Sequence, residues 1–446
     1  MQEPVISVGI ISSKKIKFLL DGDFRLGKSD KTVSGVFTAE LKENKIFLTS
    51  SSIKESFADE IIFTPSDTVN ETFTLQEVVI GVDFHWERKE KQSFKGELKL
   101  IIFENKLLAI NLVKIENYLS SVISSEMSAK CSVELLKAHA VISRAWLLAQ
   151  IELSKNYSES KEEYKTEIKT EDELIKWWDR EEHKLFDVCA DDHCQRYQGI
   201  SKIFNENARI AVSETRGLVL TCEGKICDTR YYKACGGITE GFENVWQDKK
   251  YPYLLPVIDY KFAPDNYNVN FSQEANAVKW IKESPHAYCN TSDKKILAQI
   301  LPDFDQETQD FYRWKVEYTQ EEISKLIFER SGIDFGAIID LIPMKRGASA
   351  RIYKMKIVGS KKTLIVGKEL LIRKILSKSH LYSSAIVIEK ENVVDGVPMN
   401  FVIYGAGWGH GSGLCQIGAA VMSEKGFRFD EILSHYYKNS KLQKIY

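Results

Sequence analysis

The feature that most constrains the fold is a pair of helical patterns, between Lys114 and Leu153, in a chain otherwise rich in strand patterns. Apolar residues first recur at helical spacing, at Ile115, Tyr118, Leu119, Val122 and Ile123. The next position of this stripe is Glu126. A carboxylate on a buried helix face loses hydration, so we expect a raised pKa and a proton held near neutrality. A general acid needs that state, although a helix-end Glu paired with a Lys or Arg fits the same pattern.

A second, longer helix is predicted to begin near Ser132, a suitable N-cap residue. Its apolar residues are predicted to point inward, at Val133, Leu136, Ala140 and Leu147. Lys137 and Arg144 lie on a common face of this helix. The pattern leaves two alternatives open, a solvated edge or a pair that holds an anionic substrate group or sets the charge state of Glu126.

Composition excludes several classes of protein. The chain has 446 residues, 43% of them hydrophobic, which suggests two or three structural units. A formal charge of −2 gives no general attraction to nucleic acid or anionic lipid. No run reaches the roughly 18 apolar residues of a membrane span. Eight cysteines are too few for a disulfide scaffold of this size. Cys222 and Cys227, in a predicted hairpin, are either paired or free thiols.

The fold class is predicted to be α+β, mostly antiparallel β, with a two-helix catalytic segment and accessory helical insertions. Short runs of Val, Ile, Phe and Thr between turn residues predict the N-terminal β-rich domain. The charged segment 154–182 is predicted to be a solvated helix or excursion rather than a core element, and the chain is predicted to return to strands from Ala208. The predicted domains are 1–113 (β-rich), 114–261 (first part of the core), 262–340 (accessory lobe) and 341–446 (second part of the core).

A cluster of metal-ligand residue types follows the charged segment, at His183, Cys189, His193 and Cys194. Neutral imidazole and thiolate are the ligands that zinc prefers. The adjacent His193 and Cys194 do not easily reach one ion. A zinc site and a mixture of a disulfide with solvent-exposed histidine therefore remain equal alternatives on the residues alone.

Two glycine-containing segments also carry polar groups. In YYKACGGITE, Gly236 and Gly237 allow close backbone approach, and Thr239 and Glu240 follow them.

In GAGWGHGSGLCQIGA, glycines occupy every second position from 405 to 413. Trp408 offers a face for a sugar ring, and His410 offers a proton carrier or hydrogen-bond donor. Gln416 is predicted to begin the next helix. One alternative from these residues is a thiol hydrolase that uses Cys235 or Cys415 with His410, and another is a catalytic zinc at 183–194.

Four of these segments together resemble the SpoIID/LytB family, peptidoglycan enzymes of the stage II sporulation protein D type. NYLSSVISSEM and VELLKAHAVISRAW are similar to its YL..V...EM and E.LKAQAV..R patterns, while the two glycine segments are similar to S..GG.TE and GWGHG.G..Q.GA. The resemblance implies that Glu126 is the catalytic acid and that the GG.TE segment lines the same cleft. It also implies a structural zinc held by His183, Cys189 and Cys194, with His193 as an optional fourth ligand.

The activity implied by the resemblance is lytic transglycosylation of peptidoglycan glycan strands that lack stem peptides. Substrate contacts are expected from Lys137, Arg144, Gly236, Gly237, Thr239, Glu240, Trp408, His410 and Gln416. The alternative is a non-catalytic enhancer of a cell-wall amidase. Either role implies an extracytoplasmic protein, so we expect the natural export leader or anchor to be missing from this sequence, with Met1 added.

Overall fold

The computed structural model describes residues 2–27, 29, 31–80, 88–127, 131–159, 166–177, 183–191, 193–202, 206–300 and 310–446. The chain forms two units, and both are discontinuous in sequence. The first unit contains 1–144, 180–218 and 444–446, and the second contains 145–179 and 219–443. No helix in the described ranges is long and apolar enough to span a membrane.

Strands dominate the described part of the chain. They are β1 Val5–Ser13, β2 Lys15–Leu26, β3 Thr32–Lys42, β4 Lys45–Thr49, β5 Lys54–Phe57, β6 Glu60–Pro65, β7 Thr72–Ile80, β8 Arg88–Phe94, β9 Glu97–Phe103, β10 Lys106–Lys114, β11 Glu167–Lys169, β12 Glu173–Lys176, β13 Val188–Cys189, β14 Leu218–Cys222, β15 Lys225–Ile226, β16 Tyr231–Tyr232, β17 Arg313–Thr319, β18 Ile338–Arg346, β19 Ile352–Gly359, β20 Thr363–Gly367, β21 Ile386–Val394, β22 Val397–Ala406, β23 Leu414–Cys415 and β24 Lys441–Lys444.

Helices are fewer and mostly short. They are α1 Ile115–Glu126, α2 Val133–Glu159, α3 Glu206–Glu214, α4 Phe242–Val245, α5 Glu274–Lys282, α6 Lys294–Ile300, α7 Gln320–Ser331, α8 Glu369–Ile375, α9 Gln416–Glu424 and α10 Phe429–Tyr436, with a 3-10 turn at Gly199–Lys202. The α+β class with mostly antiparallel sheets is confirmed.

The first unit is built on one large sheet. Its strand order is β13-β1-β10-β9-β6-β2-β3-β4-β5, with β7 paired to β2 and β8 paired to β7. Alternate residues of β2 are buried, among them Phe18 and Phe24, because successive side chains of a strand point to opposite faces. The rings of Phe37 and Phe63 pack against Phe18 with centroids 5.5 and 5.1 Å away. The predicted β-rich N-terminal segment is confirmed.

The two helices predicted from periodicity are also present. All five apolar residues of the α1 stripe are fully buried. In α2, the Ser132 hydroxyl accepts the backbone N–H of Leu135 at 3.2 Å, as expected of an N-cap. Helical periodicity was informative here because burial selects one face of the helix.

Two sequence-based predictions are wrong. Residues 206–214 form a helix rather than a strand, because Ala208, Ala211 and Val212 are buried at helical spacing. Residues 173–176, within the segment predicted to be solvated, form β12, which pairs in parallel with β20. Ile175 of β12 is buried in that sheet, although charged residues surround it in sequence.

The second unit contains one five-stranded sheet, in the order β11-β12-β20-β19-β18, and several small ones. Local residues define the start and the end of α7. Thr319 and Glu322 form a reciprocal capping box, and Gly332 ends the helix with a left-handed φ of 70°. The predicted hairpin between β14 and β15 is present, and Cys222 and Cys227 are not joined by a disulfide.

Candidate functional site

Glu126 is the last residue of α1 and is partly buried. Its Oε1 accepts the backbone N–H of Arg196 at 3.1 Å. The segment that supplies this N–H is attached to α1 at two further points. The Tyr118 hydroxyl donates to the Gln195 side chain at 3.2 Å, and the Ser121 hydroxyl accepts the N–H of Gln198 at 3.2 Å. The position of the Glu126 carboxylate is therefore coupled to the segment that follows Cys194.

Arg144 is fully buried and forms a two-point ion pair with Glu116 in the first unit. Its Nε and Nη2 donate to the Glu116 carboxylate at 3.0 and 2.6 Å. Glu116 also accepts the N–H of Gly217 at 3.2 Å and the hydroxyl of Tyr446 at 2.5 Å. The sequence-based analysis missed Glu116, because its position in the first turn of α1 resembles any helix-start acid.

Lys137 has carboxylate partners of its own. Its Nζ lies 2.8 Å from Glu134 and 2.6 Å from Glu214. Lys137 and Arg144 are the two cations predicted to contact substrate. In the structure, both form ion pairs with carboxylates of the protein.

The predicted metal-ligand residues come together in the first unit. One ligand atom from each of His183, Cys189, His193 and Cys194 lies within 4.8 Å of all the others. Cys194 Sγ is 3.4 Å from His183 Nε2 and 3.5 Å from His193 Nδ1. Hydrogen bonds from Cys194 and the two histidines hold the pKa of the Cys189 thiol well below its usual range. Adjacent His193 and Cys194 do point to one centre, and two imidazoles with two thiolates suit tetrahedral zinc.

The remaining predicted site residues belong to the second unit. Gly236 and Gly237 have φ of 78° and 111°, a region that favours glycine. A Cβ on Gly237 would lie 2.6 Å from the Trp280 ring, and one on Gly236 would lie 3.0 Å from the backbone of Gly407. The absence of side chains at Gly236 and Gly237 therefore lets the Trp280 ring and the backbone of Gly407 pack closely against this bend.

Glu240 is buried, and both of its oxygens are occupied by protein donors. Oε1 accepts from Gly241 N, Asn244 Nδ2 and Ala348 N at 2.9, 2.8 and 3.1 Å. Oε2 accepts from the N–H and hydroxyl of Ser349 at 3.1 and 2.5 Å. Five donors around one carboxylate make Glu240 an anchor for the turn at 347–349.

Thr239 also holds a neighbouring backbone segment in place, because its hydroxyl accepts the N–H of Val257 at 2.7 Å.

The GWGHGSG segment has a left-handed φ at every second residue. The values are 73°, 102°, 92° and 90° for Gly407, Gly409, Gly411 and Gly413. Arg351 holds this segment in place, because its Nε and Nη2 donate to the Gly409 carbonyl at 3.2 and 3.0 Å.

Trp408 is partly exposed and contacts two other aromatic rings. Phe311 stacks on it with centroids 5.0 Å apart and an angle of 5°, and Tyr382 lies 4.6 Å away at 36°. Gln416 is the first residue of α9, as predicted, and is buried.

His410 uses both ring nitrogens on backbone groups. Nδ1 accepts the N–H of Ser412 at 3.1 Å, so Nε2 carries the proton and donates to the Tyr231 carbonyl at 3.1 Å. Burial, followed by the charges of Arg230 and Arg351, holds the pKa of His410 well below its usual value. His410 is therefore a neutral hydrogen-bond donor at physiological pH rather than a proton carrier.

Comparisons with known proteins indicate a family. Residues 103–222 match the family model "Stage II sporulation protein", a range that contains Glu126 and the four metal-ligand residues. The amidase enhancer of Bacillus subtilis is 24% identical over 260 residues, 56% of this chain and 34% of that protein. Stage II sporulation protein D of Bacillus amyloliquefaciens is 25% identical over 334 residues, 74% of each chain. The chain is similar to the SpoIID/LytB family.

The chain has further similarities. An uncharacterized protein of Brachyspira hyodysenteriae is 29% identical over 161 residues, 36% of each chain. The chain thus spans about a third of the length of this protein and of the amidase enhancer. Residues 240–413, in the second unit, match a domain of unknown function (DUF8618). Glu126 and the GWGHG segment therefore fall in different family models.

Proposed function

We propose that this chain acts on the bacterial cell wall, as a lytic transglycosylase of peptidoglycan glycan strands. The observation that carries the proposal is the placement of Glu126. It ends a helix whose apolar face is fully buried, and a backbone N–H fixes its carboxylate. It also stands in the range that matches the family model. The resemblance of NYLSSVISSEM to the YL..V...EM pattern implies that Glu126 is the catalytic acid.

The proposed reaction uses Glu126 first as an acid and then as a base. Its proton moves to the glycosidic oxygen between N-acetylmuramic acid and N-acetylglucosamine as the bond from that oxygen to the anomeric carbon breaks. The C6 hydroxyl oxygen of the same muramoyl residue bonds to the anomeric carbon, and its proton returns to Glu126. The products are a new 4-hydroxyl end and a 1,6-anhydro end. One carboxylate suffices, because the nucleophile belongs to the substrate, whereas glycoside hydrolases need a second carboxyl group.

In this proposal the residues His183, Cys189, His193 and Cys194 would hold a structural zinc ion. The zinc would supply a crosslink for the loop and take no part in the reaction. Arg196, whose N–H fixes Glu126, lies two residues after Cys194. A crosslink at Cys194 would therefore restrict the position of the group that holds the catalytic carboxylate.

Glycan binding by the second unit is proposed at Trp408. Phe311 and Tyr382 hold its indole in one orientation, so little side-chain entropy would be lost when a sugar ring packs on its exposed part. His410 and Gln416 are proposed to support the segment around Trp408, since both ring nitrogens of His410 bind backbone groups and Gln416 is buried. The substrate is proposed to be a peptidoglycan glycan strand without stem peptides. The protein is proposed to act on it outside the cytoplasm.

The test is mass spectrometry of peptide-free glycan strands incubated with the protein and with Glu126→Gln. The parent should release fragments with 1,6-anhydro-N-acetylmuramic acid ends, and Glu126→Gln should release none. Glu206→Gln is the matched control, since Glu206 pairs only at the surface with Arg209, at 68% side-chain exposure. Equal product from parent and Glu126→Gln would refute the role of Glu126, and reducing ends in place of anhydro ends would indicate a hydrolase.

A second candidate function is enhancement of a cell-wall amidase, favoured by the relative named amidase enhancer. An enhancer binds glycan or amidase without breaking a glycosidic bond, so it does not need the Glu126 proton. Stimulation of a purified cell-wall amidase should then be equal for the parent and Glu126→Gln. Loss of stimulation in Glu126→Gln, with the fold intact by circular dichroism, would exclude a purely non-catalytic role.

A further inference from the structure

Four side chains that no sequence motif connects meet in the interior of the second unit. Cys235, Asp259, Cys289 and Cys415 are all buried, and one ligand atom from each lies within 4.8 Å of the other three. We propose that they form a second metal site, which takes a structural zinc ion through three thiolates and one carboxylate. This site is independent of the proposed glycan chemistry.

The ligands come from four separate segments. Cys235 follows β16 and Cys415 ends β23, and these two short strands pair in parallel, with Tyr232 opposite Cys415. Asp259 and Cys289 lie in the irregular segments before and after α5. A metal ion here would join four segments of a region that has little regular secondary structure, which is the usual role of a structural zinc site.

The spacing of the sulfur atoms suits a metal rather than a disulfide. Cys235 Sγ and Cys289 Sγ are 3.3 Å apart. Tetrahedral zinc with bonds of about 2.3 Å places two sulfurs about 3.8 Å apart, whereas a disulfide requires about 2.0 Å. All of these cysteines are free thiols. A shift of about half an ångström would admit the ion.

Backbone N–H groups surround the sulfurs. Cys235 N and Gly418 N donate to Cys415 Sγ at 3.2 and 3.4 Å, and Gly237 N donates to Cys235 Sγ at 3.3 Å. A neutral thiol is a weak acceptor, while a thiolate accepts such bonds strongly. Cys415 is also the N-cap of the nine-residue helix α9, where the helix dipole favours a negative charge. These groups stabilise the charge state that a metal requires.

The carboxylate is oriented by its own partners. Asp259 Oδ1 accepts the Tyr436 hydroxyl at 2.6 Å, and Oδ2 accepts the N–H of Cys289 at 2.9 Å. Gly418 makes room for it, since a Cβ there would lie 2.4 Å from Oδ1. A buried carboxylate is costly unless an ion or a metal compensates its charge. Donors behind the ligand oxygens are the arrangement that typically orients metal ligands.

Cations lie close enough to balance the remaining charge. Three thiolates and a carboxylate around Zn²⁺ carry a net charge of about −2. Arg351 Nη1 donates to the Cys235 carbonyl at 3.1 Å, and Arg313 Nη1 donates to the Gly236 carbonyl at 3.2 Å. Both guanidinium groups therefore contact the backbone of the ligand segment, where their charge lowers the cost of burying the site.

The same cluster argues against a thiol hydrolase. The N–H of Cys235 donates to Cys415 Sγ, and Cys235 Sγ lies next to Cys289 Sγ. Both ring nitrogens of His410 are hydrogen-bonded to backbone groups. The sequence analysis missed the cluster because Asp259 and Cys289 lie in segments without a ligand pattern. A shared spatial position, rather than spacing along the chain, defines this site.

The test measures zinc in the full chain by elemental analysis, with Cys189→Ser and Cys194→Ser combined to remove the loop cluster. This variant should retain about one zinc per chain, and X-ray absorption should show three sulfur ligands and one light-atom ligand. Adding Cys289→Ser should remove that zinc, while adding Cys222→Ser, a cysteine outside both clusters, should not. A loop-cluster variant without stoichiometric zinc, or a disulfide between Cys235 and Cys289 found by thiol labelling, would overturn the proposal. The absorption measurement decides the question even if Cys289→Ser does not fold.

Discussion

The buried pair of Glu116 and Arg144 should control the stability of the first unit. Arg144→Met removes a guanidinium with no exposed surface and leaves the Glu116 carboxylate, which is 8% exposed, without its cation. Removing one partner of a buried ion pair costs about 3–5 kcal/mol, because the remaining charge is left uncompensated. Arg144 also loses hydrogen bonds to the carbonyls of Ala140 and Leu218, at 3.3 and 2.9 Å. We therefore expect a destabilisation near the upper end of that range.

A double-mutant cycle tests this value. Arg144→Met combined with Glu116→Gln leaves no buried charge, so it should cost about 2–3 kcal/mol less than the sum of the single variants. Urea unfolding gives the free energies, and hydrogen exchange of α1 amides locates the effect. Arg209→Met is the control, since it breaks an exposed pair and should change stability by less than about 0.5 kcal/mol. A loss below about 1 kcal/mol for Arg144→Met, or additive effects, would refute the reasoning and return Arg144 to the candidates for substrate binding.

Two further predictions concern the second unit. Gly411→Ala should destabilise the second unit by more than Gly426→Ala does. Both glycines have a left-handed φ, of 92° and 86°, but a Cβ at Gly411 would lie 2.7 Å from Arg351, whereas one at Gly426 would meet nothing within 4 Å. Equal losses of unfolding free energy in urea would contradict this prediction. His410, kept neutral by a lowered pKa, stabilises the fold above its unfolded pKa of about 6.5, and this contribution is lost as the pH falls below that value. His410→Gln should therefore reduce the slope of unfolding free energy against pH between 6 and 5 by up to about 1.4 kcal/mol per pH unit, and an unchanged slope would show that His410 is protonated in the folded state.

Local patterns predicted the parts of the fold in which a single face is buried. The α1 stripe, the Ser132 cap, the alternation along β2 and the capping box at Thr319 all follow from the residues beside them. The strand predicted from Ala208 was wrong, because this short run satisfies both periods. Ala208, Ile210 and Val212 alternate as in a strand, while Ala208, Ala211 and Val212 recur at helical spacing. Residues 173–176 were assigned to solvent because their charged neighbours hide the one buried side chain of β12.

For the candidate site, the sequence predicted residue types but not the partners of each side chain. Resemblance and residue type predicted a role for Glu126 and for four metal-ligand residues at 183–194, and the structure brings those four together. The partners of Arg144 and Glu240 did not follow from the sequence. Glu240 has the residue type of a site carboxylate, but its five donors come from a bend, a helix and a turn more than a hundred residues apart. Nothing in a linear pattern distinguishes an occupied carboxylate from an available one.

The sequence by itself determined where helices cap, which faces are apolar and which short segments carry glycines, because each depends on residues within a few positions of one another. Only the tertiary structure decided that Arg144 pairs with Glu116 and that Cys235, Asp259, Cys289 and Cys415 share one interior position. Contacts between distant segments depend on how the sheets connect and on which close approaches the glycines allow. Those relations exist only in the folded chain, since residues far apart in sequence acquire a common environment when the core is buried.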